Sequence, residues 1–151
     1  MSETELKEQS NITSPQITLK EFRILVVDDD ANTRDMLADL LKIRGANVKV
    51  AESAAEARLV FGAWRPQVVI SDLGMPDEDG YDFIRSIRAF PGGSATKAIA
   101  LTGFIRKEDR QRALAAGYDH FAVKPVGYGE TTSYGDLIAL VQSLPHLTLI
   151  T

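Results

Sequence analysis

The sequence predicts an α/β fold: a doubly wound, three-layer sandwich in which a five-stranded parallel sheet carries helices on both faces. From about Phe22 onward, short apolar runs alternate with longer segments of helical spacing, which is the pattern of repeated βα units. Four of those runs end abruptly in polar residues: the first in Asp28-Asp29-Asp30, the third in Asp72, the fourth in Thr102 and the fifth in Lys124. Open parallel sheets bind ligands beyond the carboxyl ends of their strands, so acids, a hydroxyl and a lysine are expected to share one crevice.

Residues 1–20, rich in Ser, Thr, Glu and Gln with Pro15, lack sustained periodicity and are expected to form a flexible tail or linker. The domain is expected at 21–145, with 146–151 as a C-terminal tail. The first strand spans Arg23–Val27, and Met36, Leu37, Leu40 and Leu41 form the apolar stripe of a helix that Gly45 stops. A short second strand at 48–51 precedes Ser53, a cap for a helix carrying Ala57, Val60 and Phe61 and bounded by Pro66. The third strand occupies 67–71. Asp79 caps the third helix, whose buried stripe is Phe83, Ile84 and Ile87, and Pro91-Gly92-Gly93 breaks the chain before a fourth strand at Lys97–Thr102. The helix Lys107–Ala116, closed by Gly117, leads to the fifth strand, His120–Val123. A last helix at 136–143 presents Leu137, Leu140 and Val141 and ends at Pro145. Right-handed crossovers between parallel strands place these helices on both faces.

The 151 residues, 44% hydrophobic and 25% charged, suit one globular domain. A net charge of −4 argues against direct nucleic-acid binding, which needs a basic face to neutralise phosphates. The absence of cysteine excludes disulfides, thiolate chemistry and cysteine-held metals, and His120 and His146 are too few and too far apart for a histidine cluster. No basic-then-apolar leader and no apolar run near the roughly 20 residues of a membrane span is present, so a cytoplasmic protein with no membrane partner is expected. Only 26 residues follow Pro125, and no DNA-binding or catalytic output domain is expected among them.

Hard divalent cations take oxygen ligands, and Asp28, Asp29 and Asp72 could supply them. Three carboxylates in one crevice repel one another, so their grouping implies either a cation or an unusually protonated acid. Such a cation would neutralise an incoming phosphoryl group, an Asp oxygen can attack it to form an acyl phosphate, and a lysine and a threonine hydroxyl can pair with its oxygens.

With these motifs in place, the span from Phe22 to about Leu144 resembles the receiver domain of two-component response regulators. The likeness rests on Val27-Asp28-Asp29, on Asp72-Leu73-Gly74-Met75-Pro76 with Asp79-Gly80, on Ala100-Leu101-Thr102-Gly103 and on Lys124-Pro125, in that order and spacing. It implies a flavodoxin-like (βα)5 fold with Asp72 as phospho-acceptor. Asp28 and Asp29 would hold Mg²⁺, or Mn²⁺ in its place, with Asp72 and the Gly74 carbonyl as further ligands. Thr102 would be the switch hydroxyl, Lys124 the phosphate-pairing lysine, and Phe121 the aromatic switch residue. Pro125 is the position where such domains often carry a cis peptide. The implied partners are a histidine kinase or histidine phosphotransfer protein and a downstream protein. A homodimer through the face made by the fourth helix, fifth strand and last helix is a further implication. Such a chain is a self-phosphorylating and self-dephosphorylating switch rather than a turnover enzyme.

Two competing readings use the same residues. In a haloacid-dehalogenase-like phosphatase Asp28 would be the nucleophile and Asp30 the acid/base, which leaves the Asp72 motif unexplained. A pseudo-receiver would keep the fold and bind partners unphosphorylated. Asp30 is expected to serve as a cap or turn, Asp77, Glu78 and Asp79 as a solvated turn and cap, and Trp64 as a packing residue. The glycine-rich stretch 126–135 is read either as a flexible insertion with no role or as a recognition loop anchored by Tyr128 and Tyr134, and the apolar tail 147–151 as a packing segment or linker.

Overall fold

The computed structural model describes Leu19, residues 22–76, 78–103 and 106–124, and Leu137, Leu140, Val141, Ser143 and Leu144. Strands β1 (Arg23–Val27), β2 (Asn47–Ala51), β3 (Val68–Asp72), β4 (Lys97–Thr102) and β5 (His120–Val123) form one sheet in the order β2-β1-β3-β4-β5. Every pairing is parallel, as expected from the sequence. Helices α1 (Ala31–Ile43), α2 (Ala54–Trp64), α3 (Gly80–Ala89) and α4 (Lys107–Ala116) connect them, with a 3₁₀ turn at Gly93–Ala95 after α3. The strand order reverses between β1 and β3, which opens a crevice beyond their carboxyl ends.

Alternate residues of each strand face opposite cores, as the two-residue period of a strand requires. Leu25, Val27, Val69, Ala98 and Ala100 pack against Ala57 and Phe61 of α2, Phe83, Ile84 and Ile87 of α3, and Ala113 of α4. Ile24, Val26, Val68, Ile70, Ile99 and Leu101 pack against Leu37 and Leu41 of α1 and against Leu137 and Val141, which have helical backbone. Covering both faces is why the inner strands read as continuous apolar runs.

The helix ends follow their local chemistry. The Ser53 hydroxyl accepts the Glu56 N–H at 3.1 Å, and the Asp79 carboxylate accepts that of Asp82 at 2.9 Å, so each satisfies a donor that the first helical turn leaves free. Gly45, at φ 97°, ends α1, with its N–H bonded to the Lys42 carbonyl and that of Ala46 to Leu41. At the end of α2 the left-handed position falls instead on Arg65, at φ 56°.

Three expectations shift. Met36 is half exposed, because the inner face of α1 is Leu37, Ala38 and Leu41, with Leu40 at the margin. The third strand runs one residue later than expected, so Asp72 is its last residue, paired with Leu101. Leu19, expected in the tail, is fully buried beside α1 and donates its N–H to the Arg44 carbonyl at 2.7 Å.

Candidate functional site

Strand register assembles the site. Val27 lies opposite Ser71, Asp72 opposite Leu101, and Thr102 opposite Val123. Asp72 and Thr102 at their strand ends, with Asp28 and Lys124 one residue past theirs, therefore line one edge of the sheet. The backbone ladder extends beyond the strands, with Leu73 donating to Leu101 at 3.2 Å, Lys124 to Thr102 at 2.6 Å and Asp28 to Ala51 at 3.1 Å.

Carboxylate oxygens of Asp28, Asp29 and Asp72 all lie within 4.8 Å of one another. Asp28 is fully buried, Asp72 nearly so, and Asp29 opens to solvent. The Lys124 Nζ stands 3.0 Å from Asp28 Oδ2 and 3.5 Å from Asp72 Oδ2. Its approach to Asp28 is an ion pair not aligned as a hydrogen bond, so Asp28 Oδ2 is a buried oxygen without a hydrogen-bond partner, while Oδ1 accepts the Asp30 N–H at 2.9 Å. A buried, unbonded carboxylate oxygen beside two further carboxylates fits the all-oxygen ligand set that Mg²⁺ prefers. Asp72 Oδ1 accepts the Gly74 N–H at 3.2 Å, which folds the loop back over the acid.

Burial raises the Asp72 pKa, and the nearby charge of Asp28 raises it further, while the Gly74 N–H and Lys124 act in the opposite direction. Burial acts to lower the Lys124 pKa, but the carboxylates of Asp28 and Asp72 outweigh it and hold the ammonium above its ordinary value. A carboxyl whose pKa is raised on folding binds its proton more tightly in the folded state. Its stabilising effect is therefore complete below the unfolded pKa and is lost as pH rises through the folded one. Asp72→Asn is accordingly expected to raise the metal-free melting temperature at neutral pH by a few degrees and to flatten its pH dependence in the weakly acidic range. Thermal melts in a chelator across that range check this, and an unchanged pH profile would refute it.

The acid beside the cluster has a separate job. Asp30 accepts the N–H of Thr33 at 3.1 Å and its hydroxyl at 2.6 Å, which caps α1 and lowers its own pKa. In the phosphatase arrangement Asp30 would serve Asp28, whereas here its Oδ2 takes both Thr33 bonds and caps α1. Thr102 is half-buried at the end of β4, and Phe121 is half-buried with the Arg110 guanidinium 4.6 Å above its ring. Pro125, Asp77 and the stretches 126–135 and 145–151 lie outside the described residues.

Sequence reasoning missed three supports of the site. The buried Tyr118 hydroxyl donates to the Gly80 carbonyl at 2.9 Å, directly behind Asp72. Gly80 itself has no room for a side chain, because a Cβ there would stand 2.6 Å from the Asp72 carbonyl oxygen. Glu78, expected as a solvated turn residue, instead accepts both terminal nitrogens of Arg58 at 2.7 and 2.6 Å and ties the loop after Asp72 to α2. The Asp79-Gly80 pair was the one local signal for any of them.

The response regulator receiver domain family matches residues 24–134. An uncharacterised 14.6 kDa protein encoded in the sodA1 3′ region of Leptolyngbya boryana is 45% identical over 109 residues, covering 72% of this chain and 83% of that protein. The KDP operon transcriptional regulatory protein KdpE of Escherichia coli K12 is 36% identical over 107 residues, 71% of this chain but 46% of its own length. The chain thus spans less than half of that regulator. Among solved structures, the chemotaxis protein CheY4 of Vibrio cholerae superposes with a TM-score of 0.74 at 28% identity, covering 81% of this chain and 97% of that one. A response regulator receiver protein from Pseudomonas putida superposes at 0.69 with 36% identity, covering 80% and 95%.

Proposed function

This chain belongs to the response regulator receiver domain family, and on that premise we propose that it accepts a phosphoryl group on Asp72 from a histidine kinase or a histidine phosphotransfer protein. The observation that carries the reading is the meeting of three carboxylates with Lys124 at the ends of β1, β3 and β5. An Asp72 oxygen attacks phosphorus in line, the P–N bond to the donor imidazole breaks, and an acyl phosphate forms. When bound by Asp28, Asp29, Asp72 and the Gly74 carbonyl, Mg²⁺, with Mn²⁺ as a substitute, neutralises charge on the transferred group. Lys124 pairs with one phosphoryl oxygen and the Thr102 hydroxyl donates to another.

The product carries roughly −1.5 to −2 charges where one stood before. Thr102 moves toward the new oxygens, Phe121 turns into the space it leaves, and the face of α4 and β5 changes for a downstream protein or a second copy of the chain. The protein acts as a switch that promotes its own phosphorylation and slow hydrolysis in the cytoplasm. Mass measurement of the intact protein after incubation with acetyl phosphate tests the assignment. One phosphoryl adduct is expected, dependent on Mg²⁺ and absent in Asp72→Asn. An equal adduct in Asp72→Asn, or no adduct together with no response to beryllofluoride, would overturn it.

A further inference from the structure

At the opposite, amino-terminal edge of the sheet, Arg23 of β1 and Arg65 after α2 line a crevice of about 140 Å³ with Pro66, Gln67, Gly92 and Thr96. Among the described residues no acidic one lines it, although the chain carries 21 acids against 17 lysines and arginines. Both guanidiniums are held in place. Arg23 donates through Nε and Nη2 to the Arg65 carbonyl at 3.1 and 2.9 Å. Arg65 donates through Nη1 to the Pro91 carbonyl at 2.6 Å and lies 5.5 and 5.8 Å from the ring centres of Phe61 and Phe90. Among the described residues, neither forms an ion pair with a carboxylate.

Among the described residues, these bonds leave several of the N–H groups of each guanidinium unused. Gln67 accepts the Arg23 backbone N–H through Oε1 at 3.0 Å, which leaves its amino group as a further donor in the lining. Arg65 also occupies the left-handed region at φ 56°, where glycine would sit without strain, so the position carries a charged side chain despite a backbone cost. Two fixed like charges in one recess repel each other unless an anion lies between them, and guanidinium forks match the oxygens of phosphate.

We propose that this crevice is a second, metal-independent anion site that takes a phosphate group, either free phosphate or the phosphate of a small nucleotide. The site lies away from the acid cluster and does not depend on the phosphotransfer reading.

The test is a titration of the full chain with inorganic phosphate in a chelator, where the three carboxylates at the other edge disfavour phosphate. It is followed by NMR of the arginine Nε signals and the backbone amides of 65–67 and 92–96, with chloride at matched ionic strength as the control. Saturable shifts confined to these residues are expected, with affinity about tenfold weaker in Arg23→Gln, the loss of one charged hydrogen-bonding group. Arg23→Lys, which keeps the charge without the fork, should fall between. Tighter binding of adenosine monophosphate would assign the phosphate to a nucleotide, and weaker binding to the free ion; either outcome upholds the site. Shifts that rise linearly, that chloride reproduces, or that saturate with the parent's affinity in both Arg23→Gln and Arg65→Gln would overturn it.

Discussion

Lys124→Ala should lower the metal-free unfolding free energy by about 3 kcal/mol, the lower end of the range for breaking a buried ion pair. The reason lies in Asp28. Its carboxylate is fully buried, its Oδ2 has no hydrogen bond, and the ammonium 3.0 Å away is its ion-pair partner, while the Arg34 guanidinium reaches only the Asp28 backbone carbonyl, at 2.9 Å. Removing the lysine leaves that carboxylate, with Asp72 and Asp29 beside it, without an ion-pair partner among the described residues. The lower end is appropriate because the Lys124 side chain is about one-fifth exposed and water would partly replace it. For a chain of this size the loss amounts to a melting temperature lower by about 6–12 °C.

Two controls separate electrostatics from lost packing. Mg²⁺ should stabilise the variant more than the parent, since the cation supplies the missing charge, and adding Asp28→Asn to Lys124→Ala should recover most of the loss. If the double variant melts no higher than the single one, the charge argument fails.

The carboxylates and the lysine were legible in the sequence because each stands where an apolar run stops. A sheet covered on both faces forces its strands to be apolar from end to end, so the first polar residue after each strand marks the carboxyl edge, and parallel register then brings Asp28, Asp72 and Lys124 together. Asp30 could be assigned to a cap because the helix starts directly after it. What stayed hidden depends on contacts between distant segments. Nothing local distinguishes Glu78 from a solvated turn residue, since its partner Arg58 lies one helix earlier. Tyr118 reads as one more apolar residue before β5, and only the folded chain sets its hydroxyl against Gly80. Met36 was misjudged because helical periodicity fixes a stripe but not which of its edges runs out over solvent.

Gly80 gives the second large effect, and it links stability to the site. A Cβ at this position would lie 2.6 Å from the Asp72 carbonyl oxygen, 2.8 Å from the Leu73 Cα and 3.0 Å from the Tyr118 hydroxyl. Two of these three are backbone, held by the Gly80 N–H bond to the Leu73 carbonyl at 2.9 Å and by the pairing of Asp72 with Leu101. They cannot yield as a flexible side chain would, so the start of α3 must move. Overpacking of this kind costs about 1–3 kcal/mol, and breaking the buried bond from Tyr118 to the Gly80 carbonyl adds about 1–3 kcal/mol more. Better helix propensity returns at most about 1 kcal/mol to alanine. Gly80→Ala should therefore destabilise the fold by about 1–5 kcal/mol. Because the displaced atoms include the Asp72 main chain, its Mg²⁺ affinity and its yield of phosphoryl adduct from acetyl phosphate should fall as well. Gly74→Ala is the matched comparison. A Cβ there meets nothing within 4 Å, so stability should change by no more than about 0.5 kcal/mol. Melting temperatures and Mg²⁺ titrations of the two variants side by side decide the matter: equal effects would mean that the close approach of α3 to Asp72 does not hold the acid in place.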